Sequence, residues 1–269
     1  MALTPHQVAV LRLLAARRKA SGESYVAGGL ALNQALDAAR MSRDIDLFHD
    51  TDEALAASWS EDRRILLANG YAVHTIRESA AFVEALVARA GEQVLIQWAR
   101  DSAFRFFPLR EDVALGLTLH PLDLAANKAL ALAGRLEPRD WVDMLACHAR
   151  LQRLGYLLWA ACGKDPGYTP DFLRAEAARQ RYPQVELDAL AFDGPAPDAA
   201  VLGKQWKDAV AEAGELIAAL PAAQAGCCVL SVDGTPYAGT PDDLFRDLSA
   251  NRILFHPGTI RGAWPTIKA

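Results

Sequence analysis

Three features of the sequence predict an α+β fold, a mixed β-sheet with flanking helices followed by a mostly helical C-terminal region. Residues 71–99 carry three strand-like runs in close succession, YAVHTI, AFVEALVAR and EQVLIQWA. Residues 25–48 place two short strands around a helix that starts at Gly28-Gly29. Beyond about residue 120 the spacing turns helical, with proline starts and glycine stops. The expected division is a sheet-bearing core over 1–120 and a mainly helical domain over 121–269, the latter with a small terminal hairpin.

Each element has a local reason. In MALTPHQVAVLRLLAARRKA, Thr4 can cap and Pro5 can open an amphipathic helix. Tyr25–Ala27 is a short strand that turns at the two glycines into a helix running to about Arg40. Asp44–Phe48 forms a second strand, with Ile45 and Leu47 on one side and the two aspartates on the other. A helix covers 52–69 and closes at the ANG of 68–70. Only Ala90-Gly91 separates the runs 81–89 and 92–99, so these pair as a hairpin. In HPLDLAANKALALAGR, Pro121 sits at a favoured first-turn position and Gly134 at the stop. A further helical stretch follows from Glu137, bent at Gly155, and another spans Thr169–Arg181. Residues 192–200 read as a linker and Lys204–Leu220 as a helix. A small hairpin is expected around Asp233-Gly234.

Bulk properties narrow the class. The 269 residues suffice for one large or two smaller domains, and 52% apolar with 23% charged residues is ordinary for a globular protein. No apolar run is long enough to cross a bilayer. The start lacks the early positive charge and small-residue cleavage site of a signal peptide, so the expected location is cytoplasmic. The four cysteines, Cys147, Cys162, Cys227 and Cys228, have no metal-ligand spacing and read as buried thiols. A net charge of −5 argues against sequence-independent coating of nucleic acid. It leaves room for local contact through Arg135, Arg139, Arg150 and Arg153.

The chemistry is concentrated in YVAGGLALNQALDAARMSRDIDLF, residues 25–48. Residues two apart on a strand face the same side, about 6.6 Å apart along the chain. Asp44 and Asp46 can therefore converge on one point. Two such charges about 5 Å apart at an effective dielectric of ~20 repel by roughly 3 kcal/mol. A proton on one of them or a bound divalent cation relieves this. Oxygen ligands without a His or Cys set suit Mg²⁺ or Mn²⁺ over zinc. A strand that runs through Gly28-Gly29 into a helix exposes backbone N–H groups where phosphate can bind, though close helix–sheet packing alone also calls for such glycines.

Downstream, a helical wheel puts Asp123 and Asn127 on a polar edge and Lys128 about 120° away, flanked by Leu124 and Leu132. An ammonium so placed either snorkels to water or meets an anion. Asp140 and Asp143 share a helix face, and Asp140 can also serve the helix start.

The run GGLALNQAL…SRDIDLF resembles the Gly-Gly/Gly-Ser plus Asp-x-Asp signature of the DNA polymerase β-like nucleotidyltransferases. PLDLAANKALALAGRLEPRDWVDML resembles the second half of the AbiEii/AbiGii-type group, often toxins of toxin–antitoxin or phage-defence systems. The resemblance covers roughly residues 20–150. It implies a nucleotidyltransferase-type sheet and metal-dependent transfer of an NMP from an NTP to an acceptor: RNA or tRNA, a protein, or a small molecule. It implies Mg²⁺ or Mn²⁺ on Asp44 and Asp46, nucleotide contacts from Gly28, Gly29, Ser42, Arg43 and Lys128, and a catalytic set of Asp44, Asp46, Lys128 and Asp140. Asp143, Arg135 and Arg139 lie in the same segment. An antitoxin partner is also implied.

One departure stands out. The superfamily usually adds a third carboxylate from a later strand, and here Gln97 holds that place. Glutamine can ligate weakly but cannot abstract a proton. Asp101 shares its parity but lies about 13 Å further along a straight strand. A catalytically impaired nucleotide-binding or regulatory protein is therefore the alternative expectation. FHPGTIRGAW, residues 255–264, reads as a segment anchored by its aromatics.

Overall fold

A computed structural model of the chain describes residues 3–267, which divide into two compact units. The first comprises the described residues up to Ala103 together with Pro108–His120; the second comprises Phe104–Phe107 and the described residues from Pro121 onward.

The first unit runs α1 (Pro5–Ser21), β1 (Ser24–Ala27), α2 (Gly28–Leu36), β2 (Asp44–His49), α3 (Asp52–Ala68), β3 (Ala72–Ser79), β4 (Phe82–Arg89) and β5 (Glu92–Arg100). After β6 (Phe104–Arg105), which belongs to the second unit, β7 (Arg110–Asp112) and β8 (Gly116–Thr118) complete one seven-stranded mixed sheet. Its order is β3-β4-β5-β2-β1-β8-β7, with β2 parallel to β5 and antiparallel to β1.

Alternation divides the central strands into two faces. Ile45, Leu47, Val83, Ala85, Val94, Ile96 and Trp98 are buried on one face. Helix α3 covers that face, with Trp59 tilted against Trp98 at 4.8 Å between ring centroids. The Trp98 indole N–H donates to the buried carboxylate of Asp62 at 3.0 Å, so the polar edge of the ring keeps its hydrogen bond. Asp44, Asp46, Glu84 and Gln97 lie on the opposite face, where they are only half-buried. This division is what leaves the carboxylates accessible.

Helix α1 begins with a capping box between Thr4 and Gln7. The Gln7 amide also donates to the Ser42 and Arg43 carbonyls at 2.9 and 3.1 Å. One side chain therefore fixes both a helix start and the loop that feeds Asp44 into β2.

The second unit contains α4 (Pro121–Gly134), α5 (Pro138–Arg150), α6 (Leu154–Ala161), α7 (Pro170–Ala178), α8 (Gln184–Asp188) and α9 (Ala199–Ala219). It ends with β9 (Cys228–Ser231), α10 (Pro241–Ser249), β10 (Ile253–His256) and β11 (Thr259–Ile260). Helix α6 is buried along its whole length. At Gly155 an added Cβ would lie 2.9 Å from Leu216 Cβ and 3.1 Å from Ala213 Cα, so the glycine lets α6 and α9 pack closely. The Phe104–Phe107 segment is pinned to this unit by Asp123. That carboxylate accepts from Phe106 N–H at 2.9 Å and Phe107 N–H at 3.1 Å, and pairs with Lys164 at 2.8 Å. His256 Nε2 hydrogen-bonds the Phe106 carbonyl at 2.8 Å, and β6 pairs with β11.

Several boundaries differ from those expected. Helix α2 ends at Leu36, because Asp37 turns left-handed at φ 48°. The stretch after Glu137 breaks at residues 151–153, before Gly155, into α5 and α6. Helix α9 starts earlier than expected, at Ala199, where the Asp198 side chain caps the Ala200 and Val201 N–H groups. The turn expected around Asp233-Gly234 forms: Ser231 N–H donates to the Thr235 carbonyl at 2.9 Å and Tyr237 N–H to the Val229 carbonyl at 3.2 Å, on either side of a bridge between Leu230 and Pro236. Strand β9 also pairs antiparallel with the more distant β10, across α10. The Asp123 side of α4, expected as a polar edge, is buried under the Phe104–Phe107 segment.

Candidate active site

In the first unit the site rests on a glycine. Gly28 adopts φ +67°, a left-handed conformation that side chains disfavour, and an added Cβ would lie 1.8 Å from Asp46 Oδ2. The Asp46 carboxylate therefore occupies the space a side chain would take at the first residue of α2. Ala27 precedes that helix and offers no side-chain cap. Register explains why Asp46 reaches this point, since Ala27 and Asp46 are direct partners in the β1–β2 ladder. Asp44 lies two residues earlier on the same half-buried face. Gly29 is buried, Ser42 half-buried and Arg43 exposed, the last two with their carbonyls held by Gln7.

This donor set fits a hard divalent cation. Two carboxylates alternate on one strand face, and the bare α-carbon of Gly28 keeps one of them against the helix start. Among the described residues no group of three or more His, Cys, Asp or Glu could hold a metal. Magnesium commonly takes only one or two carboxylates from the protein and completes its shell with substrate phosphates and water. Gln97 occupies the ladder position beside Asp46 and donates to Glu84 at 2.8 Å. Asp101 lies beyond the end of β5, where its carboxylate accepts from the Ser102 N–H at 2.7 Å.

The second unit holds the remaining predicted residues together. Lys128 on α4 donates to Asp140 at 2.8 Å and lies 3.0 Å from Asp143 Oδ2, both on α5. Arg135 grips Asp140 with two bonds at 2.6 and 3.1 Å. Both aspartate side chains are fully buried. Two cations face two carboxylates, so the cluster is balanced. Burial works against the charge on Lys128, but Asp143 and Asp140 outweigh it and raise its pKa. Burial likewise opposes ionisation of Asp140, yet Arg135 and Lys128 hold its carboxyl below the usual range. The anion that Lys128 meets within this unit is thus a pair of aspartates. Arg139 turns instead to Glu137, at 3.8 Å.

A cleft of about 930 Å³ in the second unit escaped the sequence reading. It is lined by Trp141, Tyr182 and Trp206 together with Arg179, Arg181 and Lys207. Trp141 follows Asp140 in α5 and tilts against Tyr182 at 5.6 Å. Burial, then the charge of Asp140, raises the Tyr182 hydroxyl to about 12. The residues come from α5, the 179–183 segment and α9, so no single stretch of sequence signals the cleft. The cysteines are free thiols, and three of the four are buried. Among the described residues no helix is long and apolar enough to cross a membrane.

Gly28→Ala should displace the Asp46 carboxylate and lower stability by about 1–3 kcal/mol through backbone strain; a crystal structure of the variant and its denaturant unfolding check this. Lys128→Met should cost about 3–5 kcal/mol by removing the cation that buried Asp140 and Asp143 share. The native stabilisation from this cluster should hold through neutral pH. It should fall as pH drops below the ordinary Asp value of 3.8 through the lowered value of Asp140, and as pH rises above the ordinary Lys value of 10.5 through the raised value of Lys128. Denaturant midpoints across pH for both proteins check this, and an unchanged alkaline limb in the variant would contradict it.

The fold resembles MenT4, nucleotidyltransferase toxin Rv2826c from Mycobacterium tuberculosis H37Rv, at a TM-score of 0.54 and 17% identity over 81% of this chain and 84% of that one. It also resembles JHP933 from Helicobacter pylori, at 0.51 and 14% over 80% and 95%. A nucleotidyltransferase structure from H. pylori gives 0.51 and 15% over 80% and 98%. At such identities the likeness speaks for the fold alone. No curated protein sequence matches the chain. A family model described as nucleotidyl transferase AbiEii toxin, type IV TA system, matches residues 12–216, a span that includes the Gly28–Asp46 site and the Lys128–Asp140 cluster. The chain therefore belongs to the AbiEii family of nucleotidyltransferase toxins.

Proposed function

We propose that this nucleotidyltransferase moves a nucleoside monophosphate from an NTP to a hydroxyl of an acceptor, using a divalent cation held by Asp44 and Asp46. The observation that carries this reading is the lodging of the Asp46 carboxylate in the space left by Gly28, at the start of α2. One carboxylate and one helix N-terminus thereby meet where a phosphate chain and its cation need both. In the reaction the acceptor oxygen bonds to the α-phosphorus, the bond to the β-phosphate oxygen breaks, and pyrophosphate leaves. Asp44 and Asp46 would hold the divalent cation, and the chemistry it would supply there is neutralisation of the charge developing on the phosphates. Gly28 and Gly29 would admit the phosphates to the backbone, with Ser42 and Arg43 at the edge of the same site. Lys128 would bind triphosphate, and Asp140 would orient it. Because Gln97 cannot take a proton, the hydroxyl proton passes to water.

The aromatic and cationic cleft of the second unit favours RNA over a protein or a small molecule as acceptor. Its cations, Arg179, Arg181 and Lys207, and the partly exposed Tyr182 ring are groups suited to an unpaired nucleotide. The net charge of −5 fits a short contact rather than a long one. An antitoxin made by the same system would restrain the activity, and the expected location is the cytoplasm. A second reading, a nucleotide binder without turnover, draws on Gln97 in place of a carboxylate.

The test is to incubate the protein with each α-labelled NTP, Mg²⁺ or Mn²⁺, and a mixture of cellular RNA, proteins and small molecules. Metal-dependent labelling of RNA that falls to background in Asp44→Ala and Asp46→Asn is expected. Tight nucleotide binding without transfer to any acceptor would establish the second reading, and undiminished labelling by either variant would overturn the carboxylate assignment.

A further inference from the structure

The ladder registers align Asp46 on β2, Gln97 on β5 and Glu84 on β4 in one row across the sheet. All three belong to the half-buried face, and neighbouring strands lie about 4.8 Å apart. Gln97 is thus the residue between the candidate cation site and a carboxylate two strands away. Its amide donates from Nε2 to Glu84 Oε1 at 2.8 Å. The direction of that bond follows from chemistry. An ionised carboxylate accepts only, so the NH₂ end of the amide must face Glu84 and the carbonyl end must face elsewhere. Among the described residues Gln97 Oε1 makes no hydrogen bond, and Glu84 makes no other hydrogen bond or ion pair.

Resting on the Asp44–Asp46 reading above, we propose that Gln97 Oε1 is the third protein oxygen offered to the divalent cation and that Glu84 is its positioning residue. Glu84 stops the amide from flipping, and its negative charge polarises the amide so that the oxygen becomes a better donor to a cation. Negative charge is thereby supplied to the site from one strand further away. The arrangement compensates for the missing third carboxylate as far as cation binding is concerned, without supplying a base. A cross-strand hydrogen bond that served only to join β4 to β5 would have no such consequence.

The two roles separate in a double-mutant cycle read by cation binding, without turnover. Free Mn²⁺ is followed by electron paramagnetic resonance during titration of the full chain and of Asp46→Asn, Glu84→Gln, Gln97→Leu and the Glu84→Gln/Gln97→Leu double variant. Gln97→Met replaces Gln97→Leu if the latter does not fold. We expect Glu84→Gln to weaken Mn²⁺ about tenfold, as outer-shell changes do, and Gln97→Leu to weaken it at least as much. The double variant should bind no more weakly than Gln97→Leu alone, because Glu84 acts through the amide. Wild-type affinity in Glu84→Gln, or losses that multiply in the double variant, would overturn the inference while leaving the carboxylate pair intact. Undiminished affinity in Asp46→Asn, or no Mn²⁺ binding by the unaltered chain, would instead overturn the reading on which it rests.

Discussion

The close approach of the Asp46 carboxylate to the α-carbon of Gly28 is the constraint on which the site depends. It ties a strand, a turn and a helix together at one atom position. Strand β1 must end where it does for Ala27 to lie opposite Asp46. The next residue must be glycine, both for its φ of +67° and for the missing Cβ. Helix α2 must then start without a capping side chain. Gln7 contributes from a distance, holding the loop that delivers Asp44 to β2. Burial of Ile45 and Leu47 beneath α3 keeps the alternate residues, Asp44 and Asp46, on the accessible face.

The second unit solves a related problem by different means. Four ionised side chains, Lys128, Arg135, Asp140 and Asp143, share one largely buried cluster with no net charge. Burial of any one alone would be costly, and together they satisfy each other through hydrogen bonds. The arrangement fixes the Lys128 ammonium against α5 and joins α4 to α5. Trp141, the residue after Asp140, continues from this cluster into the aromatic cleft, so charge network and cleft share one helix.

Much of the sheet-bearing unit was legible because its signals are local. Alternation at 45–47 revealed the faces of β2, Ala90-Gly91 revealed a hairpin, and the glycines that open α2 revealed the turn from strand to helix. The grouping of Asp44 with Asp46 needed only strand parity. Recognition of the helical half relied on proline starts and on the family-like run around Lys128. What escaped depends on pairing between distant residues. Strand β9 takes β10 as a partner across a helix, a pairing that no local turn signals. Asp123 read only as part of a polar edge because its partners, the Phe106 and Phe107 amides and Lys164, lie far from it in sequence. The Glu84–Gln97 bond was hidden for the same reason, since register decides it.

The most direct test of the account is a crystal structure of the chain with Mn²⁺ and a non-hydrolysable NTP analogue. The account predicts an anomalous peak bridged by the Asp44 and Asp46 carboxylates, with the triphosphate against the first turn of α2 at Gly28. A nucleotide bound with its phosphates away from that turn, or Mn²⁺ absent from the two aspartates while nucleotide is present, would contradict it.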